Sequence, residues 1–302
     1  MIENAVAWPS CQAAWARAPG RDILGLENAR GKRTLTPVSL QVVINFKVLD
    51  ESADWIVVDK PAPLIVHPAN RKPEPTLLGG IEMLLAYEMS NGARPGVVNR
   101  LDRETSGVVL VAKHAAAARE LGGVFMRRQA RKEYLAVVLG WPEAEAWVCE
   151  EPLIRAGELG ASAIWVRQTV HPTGKFCRTR FEVAQRFERE EGRFCLLRCF
   201  PETGRMHQIR VHLAHGGHPV VGDKLYSATG REYIDWMATG WTPDLARRLL
   251  LPRQALHAAV LAVPWAGRVI EWRAELAKDL SDFVAGNVAA ANADVVIWNR
   301  HD

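Results

Sequence analysis

Residues 97–111 read VVNRLDRETSGVVLV. Two aliphatic blocks, Val97–Val98 and Val108–Val111, enclose a polar cluster of Asn99, Arg100, Asp102, Arg103, Glu104, Thr105 and Ser106. Short runs of β-branched and large aliphatic residues are strand signals, so the segment is predicted as two core strands joined by a loop. A lone aspartate between strands is ordinarily a turn former, its carboxylate accepting from nearby backbone amides. So many charges between two rigid walls suit an active-site loop better than a solvated turn.

Outward from this segment the pattern repeats. "WIVVDKP" (55–61) is predicted as a strand that Pro61 stops just after Lys60, since proline has no amide for the ladder. "TLLGGIEMLLAYEM" (76–89) is predicted as one helix, with Leu77, Ile81, Leu84 and Leu85 at helical spacing. "AAAARELGGVFMRR" (115–128) is predicted as another, with Leu121 and Phe125 four apart. "KEYLAVVLGW" (132–141) is predicted as a strand with Tyr134, Ala136 and Val138 on one face. "RTRFEVAQRF" (178–187), "RFCLLRCF" (193–200) and "LHAAVLAVPW" (256–265) are three more. Many strands on short turns, without regular strand–helix–strand alternation, predict an α+β fold: a mixed, largely antiparallel sheet with flanking helices. Residues 1–40 form an irregular N-terminal extension with no clear RNA-binding module, 41–284 one catalytic domain, and 285–302 a C-terminal tail.

The 302-residue chain has a globular composition and a net charge of +4, too mild to define a partner. Its distribution is more telling. Between Arg94 and Glu133 there are nine Lys or Arg against four acids, densest in "MRRQARKEY" (126–134), which suits a phosphate backbone or a solvated helix end. There is no apolar run of membrane length and no secretory signal, so the expectation is a cytoplasmic protein with no membrane partner. Cys11, Cys149, Cys177, Cys195 and Cys199 include no C-x-x-C pair and are expected to be reduced and structural.

Three further stretches carry chemistry-bearing residues: "VVDKPAPLIVHP" (57–68), "RKEYLA" (131–136) and "ETGRMHQIRVHLAHGGHPVVGDKLY" (202–226). His207, His212, His215 and His218 invite a zinc reading, but their spacing matches no familiar ligand motif and no metal is expected. Asp102 and Glu104, two apart in one loop, are poorly placed to flank a sugar bond from opposite sides. No phosphate-cradling glycine loop supports a nucleotide cofactor.

Taken in order, "NRLDRETSG", "KEYLA" and "TGRMHQIRVHLAHGGHPVVGD" resemble the signature segments of the RluA-type pseudouridine synthases. "DKPAPLIVHP" is similar to the family's leading segment and "LHAAVLAVPW" to its closing strand, so the resemblance runs from about residue 45 to 275. It implies an RNA-modifying isomerase of rRNA or tRNA on the pseudouridine synthase fold, a monomer by default, and without cofactor because the rearrangement is redox-neutral. It assigns the catalytic carboxylate to Asp102 and its pairing cation to Arg210. Tyr134 and Ile209 are implied as the two walls around the target base, with the Tyr134 hydroxyl near the reacting centre. His207 and Gln208 would position the segment, while Lys60, Arg103, Arg205 and the "MRRQARK" patch would contact phosphates. Three positions depart from the family pattern: Asn99 for the usual His, Met206 for Thr, and Pro63 for Gly. Asn99 motivates an alternative, a catalytically inactive RNA-binding protein on the same scaffold.

Overall fold

A computed structural model describes residues 45–67, 74–227 and 230–286; the 1–40 extension, Cys11 and nearly all of the predicted tail lie outside the described residues. The first half contains β1 (Lys47–Glu51), β2 (Trp55–Lys60), α1 (Leu77–Leu84), α2 (Ala86–Ser90), β3 (Gly96–Val97), β4 (Ser106–Ala112), α3 (Ala115–Met126) and β5 (Arg131–Leu139). The second contains β6 (Ala146–Cys149), β7 (Leu153–Arg155), β8 (Gln168–Val170), β9 (Thr179–Arg189), β10 (Gly192–Pro201), α4 (Gln208–His215), α5 (Arg231–Thr239), α6 (Pro243–Leu249), β11 (Leu256–Trp265), β12 (Arg268–Arg273) and α7 (Lys278–Val284).

The central sheet runs β1-β2-β4-β11-β5-β10-β9-β6, with β12 added beside β11 and β3 beside β4; β7 and β8 form a separate ribbon. Its pairings are antiparallel apart from β4 with β11. The α+β architecture expected from the sequence is therefore the one observed.

The near-continuous aliphatic character of β2 and β4 follows from burial on both faces. Ile56, Val58, Val109 and Val111 pack against Leu77, Ile81 and Leu85, on the α1 side. The alternate residues Trp55, Val57, Val108 and Leu110 pack against Leu121 and Val124 of α3. Side chains alternate with period two along a strand, so two covered faces require apolar residues at every position. The third cluster joins β5, β9 and β10 to Ile209 and Leu213 of α4 and to Leu280 and Phe283 of α7.

Val108–Val111 lies within β4, whereas the first block contributes only Val97 to the two-residue, half-buried β3, with Val97 opposite Val111 and Gly96 opposite Ala112. On the same edge, β4 pairs with β11 only through Ser106–His257 and Gly107–Ala258 before the two strands diverge. Gly107 makes that approach possible: its φ is +112°, and a Cβ there would sit 2.2 Å from the Ala258 carbonyl oxygen. Between the two short pairings Asn99 fills the gap. Its Nδ2 donates to the Val108 carbonyl at 3.1 Å and its Oδ1 accepts from the Leu110 amide at 2.8 Å.

One local expectation is corrected, and one helix was not foreseen. The helix predicted across 76–89 is interrupted at Leu85, which leaves helical geometry (φ −92°, ψ 21°) while its side chain is buried beside α1. The segment carrying the histidines contains α4, to which no element was assigned. Gln208, Arg210 and His212 are all buried in it, so it lacks the polar face that marks an amphipathic helix. Cys149, Cys177, Cys195 and Cys199 are free thiols, and burial pushes Cys195 up to about 11.

Candidate active site

Asp102 sits in the loop between β3 and β4, with its backbone carbonyl accepting from the Thr105 amide at 3.1 Å. Neighbouring side chains pin the loop where it enters β4. Glu104 accepts from Lys224 Nζ at 2.6 Å, so it is occupied away from Asp102. Ser106 Oγ lies 2.9 Å from His257 Nδ1, whose other ring nitrogen lies 3.3 Å from the Ala274 carbonyl. That pairing makes Nε2 the protonated nitrogen and Ser106 the donor to Nδ1.

The opposing wall is the first turn of α4, and Gln208 sets its position. The buried amide donates to the Arg178 carbonyl and Thr179 Oγ1, and accepts from Thr203 Oγ1 and the Arg205 amide. With every donor and acceptor engaged, the helix start is fixed against β9 and the turn after β10. His207, just before it, adopts left-handed backbone geometry at φ +57°, a conformation uncommon outside glycine.

From this helix Arg210 reaches across to Asp102, Nη1 to Oδ2 at 2.7 Å. Its Nε and Nη2 form a second, bidentate pair with Asp223 at 2.6 and 2.8 Å. Asp223 is fully buried, and its Oδ1 also accepts from the Leu225 and Tyr226 amides. The planar guanidinium is thus clamped on one edge, which aims Nη1 at Asp102. Gly222, at φ +74°, brings this segment so close to β11's approach that a Cβ would lie 2.0 Å from the Arg253 carbonyl oxygen.

Asp102 is the open end of the array: its side chain is 31% exposed, against 5% for Arg210 and 0% for Asp223. Burial by itself raises its pKa. His207 when protonated, then Arg210 by charge and hydrogen bond, and Gln254 by a 3.4 Å contact, outweigh this and hold the carboxyl below the usual range. His207 is itself pushed down to about 4 by burial and by Arg210, so at neutral pH Arg210 is the cation that keeps Asp102 ionised. The Gln168 amide donates to the Tyr226 hydroxyl, which lies 2.8 Å from His207 Nδ1. Tyr226 therefore donates to Nδ1, and the His207 Nε2–H faces Asp102 Oδ2 across 3.9 Å.

Tyr134, on β5 opposite Cys199 of β10 and Ala258 of β11, packs against the same cluster as Ile209. Burial and the Asp102 charge both raise the Tyr134 hydroxyl well above its ordinary pKa, so it remains a neutral phenol. Asp102, Arg210, Tyr134 and Ile209, scattered over more than a hundred residues, thus gather around one region. Arg103 and Arg205 lie on its exposed rim, Arg103 paired with Glu74 at 2.6 Å and Arg205 bonded to the Phe176 carbonyl.

Lys60 corrects an expectation. It is wholly buried, its Nζ donating to the carbonyls of Pro61, Leu64 and Arg103, and it presents no surface to a phosphate. Burial lowers it to about 7, and what it holds is the backbone behind Asp102. The histidines point apart: His207 to Tyr226, His212 to Thr179, and His218 to the Leu139 carbonyl. Asp223, Tyr226 and Gln254 were not singled out as site residues. The first two lie inside the quoted "VVGDKLY" stretch, whereas Gln254, immediately before β11, carries no local signal.

The family described as RNA pseudouridylate synthase matches residues 54–215, and the chain belongs to that family. It is 37% identical over 241 residues to the ribosomal large subunit pseudouridine synthase D of Nitrosomonas europaea, covering 79% of this chain and 64% of that protein. It is 36% identical over 245 residues to the protein of the same name from Yersinia pestis, covering 80% of this chain and 70% of that one. The human RNA pseudouridylate synthase domain-containing 4 structure superposes with a TM-score of 0.62 at 23% identity, over 80% of this chain and 92% of that one, and shows the shared fold.

Proposed function

We propose that the chain isomerises a specific uridine of ribosomal RNA to pseudouridine, with Asp102 as the catalytic carboxylate. The observation that carries the reading is the 2.7 Å ion pair between Arg210 and the partly exposed Asp102, with Arg210 locked from behind by buried Asp223. Family membership and relatives named as ribosomal large subunit pseudouridine synthases supply the reaction class and the RNA.

The reaction breaks the N1–C1′ bond of uridine, turns the uracil and joins C5 to C1′; the C5 proton leaves and N1 gains one. An ionised carboxylate serves either by attacking C1′ or by abstracting a sugar proton as the base departs. Tyr134 and Ile209 provide the flat and apolar walls that a uracil withdrawn from its stack requires. As a neutral phenol, Tyr134 offers a hydroxyl beside the ring without adding charge. Arg210 keeps Asp102 ionised in a partly desolvated site. The motive for a silent RNA binder was Asn99, and its side chain is committed to the β4 backbone rather than to the site.

RNA carrying tritium at uracil C5 tests the proposal, since isomerisation releases the label. Wild-type protein is expected to release it from ribosomal RNA, and Asp102→Asn to release none while keeping its fold. Residual activity within about tenfold of wild type would remove Asp102 from the chemistry.

A further inference from the structure

Beside the site, the end of the sheet opens into a groove of about 480 Å³. That volume lies in the ~300–1,000 Å³ range of small-ligand sites. It is lined from β5, β9 and β10 and from the segments before β9 and after β10. Arg180 stacks on the Phe200 ring at 3.9 Å and Arg198 lies over it at 5.0 Å, while Phe176 is half exposed at the rim. Aromatic rings and guanidinium planes are the surfaces on which unpaired RNA bases stack.

Charge separates the lining into two kinds. Arg131, Arg178, Arg180 and Arg198 each pair with a carboxylate, respectively Glu271, Glu202, Glu182 and Glu133. Lys132 and Arg128 have no carboxylate partner among the described residues; Lys132 Nζ bonds the Thr203 carbonyl at 3.0 Å. Burial and the neighbouring Arg128 charge lower Lys132 to about 8, so an anion placed here would relieve two cations that face each other. Arg128 also holds left-handed backbone geometry at φ +58°, which fixes its direction.

The groove passes round the end of the sheet, from the site's face to the opposite one, from which Arg198, Phe200 and Arg180 project because Cys199 between them pairs with Tyr134. Lys132 lies two residues before Tyr134 on β5, hence on the same face and ~7 Å away along the strand. Arg205, on the site's rim, bonds the carbonyl of Phe176 in the groove wall.

We propose that this groove is a second nucleotide site. Lys132 and Arg128 hold the phosphate adjoining the target uridine, and the Phe200–Arg180 stack with Phe176 receives the neighbouring unpaired base. The inference rests on the isomerase reading for taking the strand to be RNA and for placing the target uridine beside the groove.

The test measures binding of a fluorescent single-stranded oligouridylate as a function of salt, with Asp102→Asn protein so that no turnover intervenes. Each lost phosphate contact lowers the slope of log affinity against log salt by about 0.7. Arg128→Gln is expected to lose about 0.7 and the Arg128→Gln, Lys132→Gln pair about 1.4, with roughly tenfold weaker binding at ~0.1 M salt. Arg193→Gln removes the same charge from an exposed site on the β9–β10 hairpin, beside Trp141, and should leave the slope unchanged. The proposal is overturned if the groove variants keep the parent slope, if Arg193→Gln loses as much, or if no oligouridylate binds. Tritium release is read separately: its absence in a protein whose groove variants lose slope removes the isomerase and leaves the groove.

Discussion

At the scale of single residues, the site is a line of alternating charge, Asp102–Arg210–Asp223, that runs from the partly exposed Asp102 into the core. Arg210 has two obligations, and a substitution there reports on both. Arg210→Ala strands Asp223, a fully buried carboxylate, and should cost about 3–5 kcal/mol of stability as well as the tritium release. Adding Asp223→Asn removes the uncompensated charge and should restore about half that loss, read from urea midpoints, while activity stays lost. Recovery of activity would mean that Arg210 acts only as packing. The pH profile carries the same logic: with Asp102 held below the usual carboxylate range, the parent's acidic limb should lie well under neutral pH. Losing Arg210 leaves burial unopposed and should move that limb upward. Asp102, Arg210 and Tyr134 were legible because each stands in a distinctive local segment. Asp223 was less so, because its importance lies in the second edge of Arg210, which only the folded geometry reveals.

At the scale of elements, the junction of β3, β4 and β11 deserves most weight. Two strands that pair with β4 for only two residues each leave backbone groups of β4 between them, and Asn99 completes the edge with one donor and one acceptor. Asn99→Ala should therefore cost about 2 kcal/mol, seen as a lower urea midpoint at unchanged slope, because the Val108 carbonyl and Leu110 amide lose their partners. An unchanged midpoint would show that water replaces the amide. The sequence marked Asn99 as the doubtful residue of its segment, yet could not say what it bonds, since its partners are backbone atoms. Strands were read well because β2, β4, β5 and β9–β11 carry apolar runs that proline or polar turns delimit. α4 escaped because its buried Gln208, Arg210 and His212 are satisfied by partners on other elements.

At the scale of the whole molecule, buried ionisable groups make stability depend on pH. His207 and His257 are both pushed down to about 4, mainly by burial, so the folded state resists their protonation. Unfolded histidine binds its proton near 6.5, and this contribution to stability is lost as pH falls from there toward 4. Asp59 acts oppositely: burial raises it to about 6, so over part of the same window the folded state holds a proton that the unfolded chain has released. For these three groups together the balance is close to one proton taken up on unfolding near pH 5, or roughly 1.4 kcal/mol lost per pH unit. His257→Gln removes one of the histidine contributions and should flatten the dependence of the melting temperature between pH 6 and about 4.5. A slope as steep as the parent's would place the titration elsewhere.

By itself the sequence determined the strand-rich α+β class, the loop that carries Asp102, and the identity of the residues expected beside it. These are local properties: alternation, turn chemistry, and short segments in a recognisable order. The tertiary structure decided which of those residues gather around Asp102. It turned Lys60 inward onto three carbonyls, engaged Asn99 with β4, and brought Asp223 and Gln254 into a site to which the sequence had assigned neither. The physical reason is that a polar side chain's role depends on which partners satisfy it once water is removed, and those partners come from strands and loops far away along the chain.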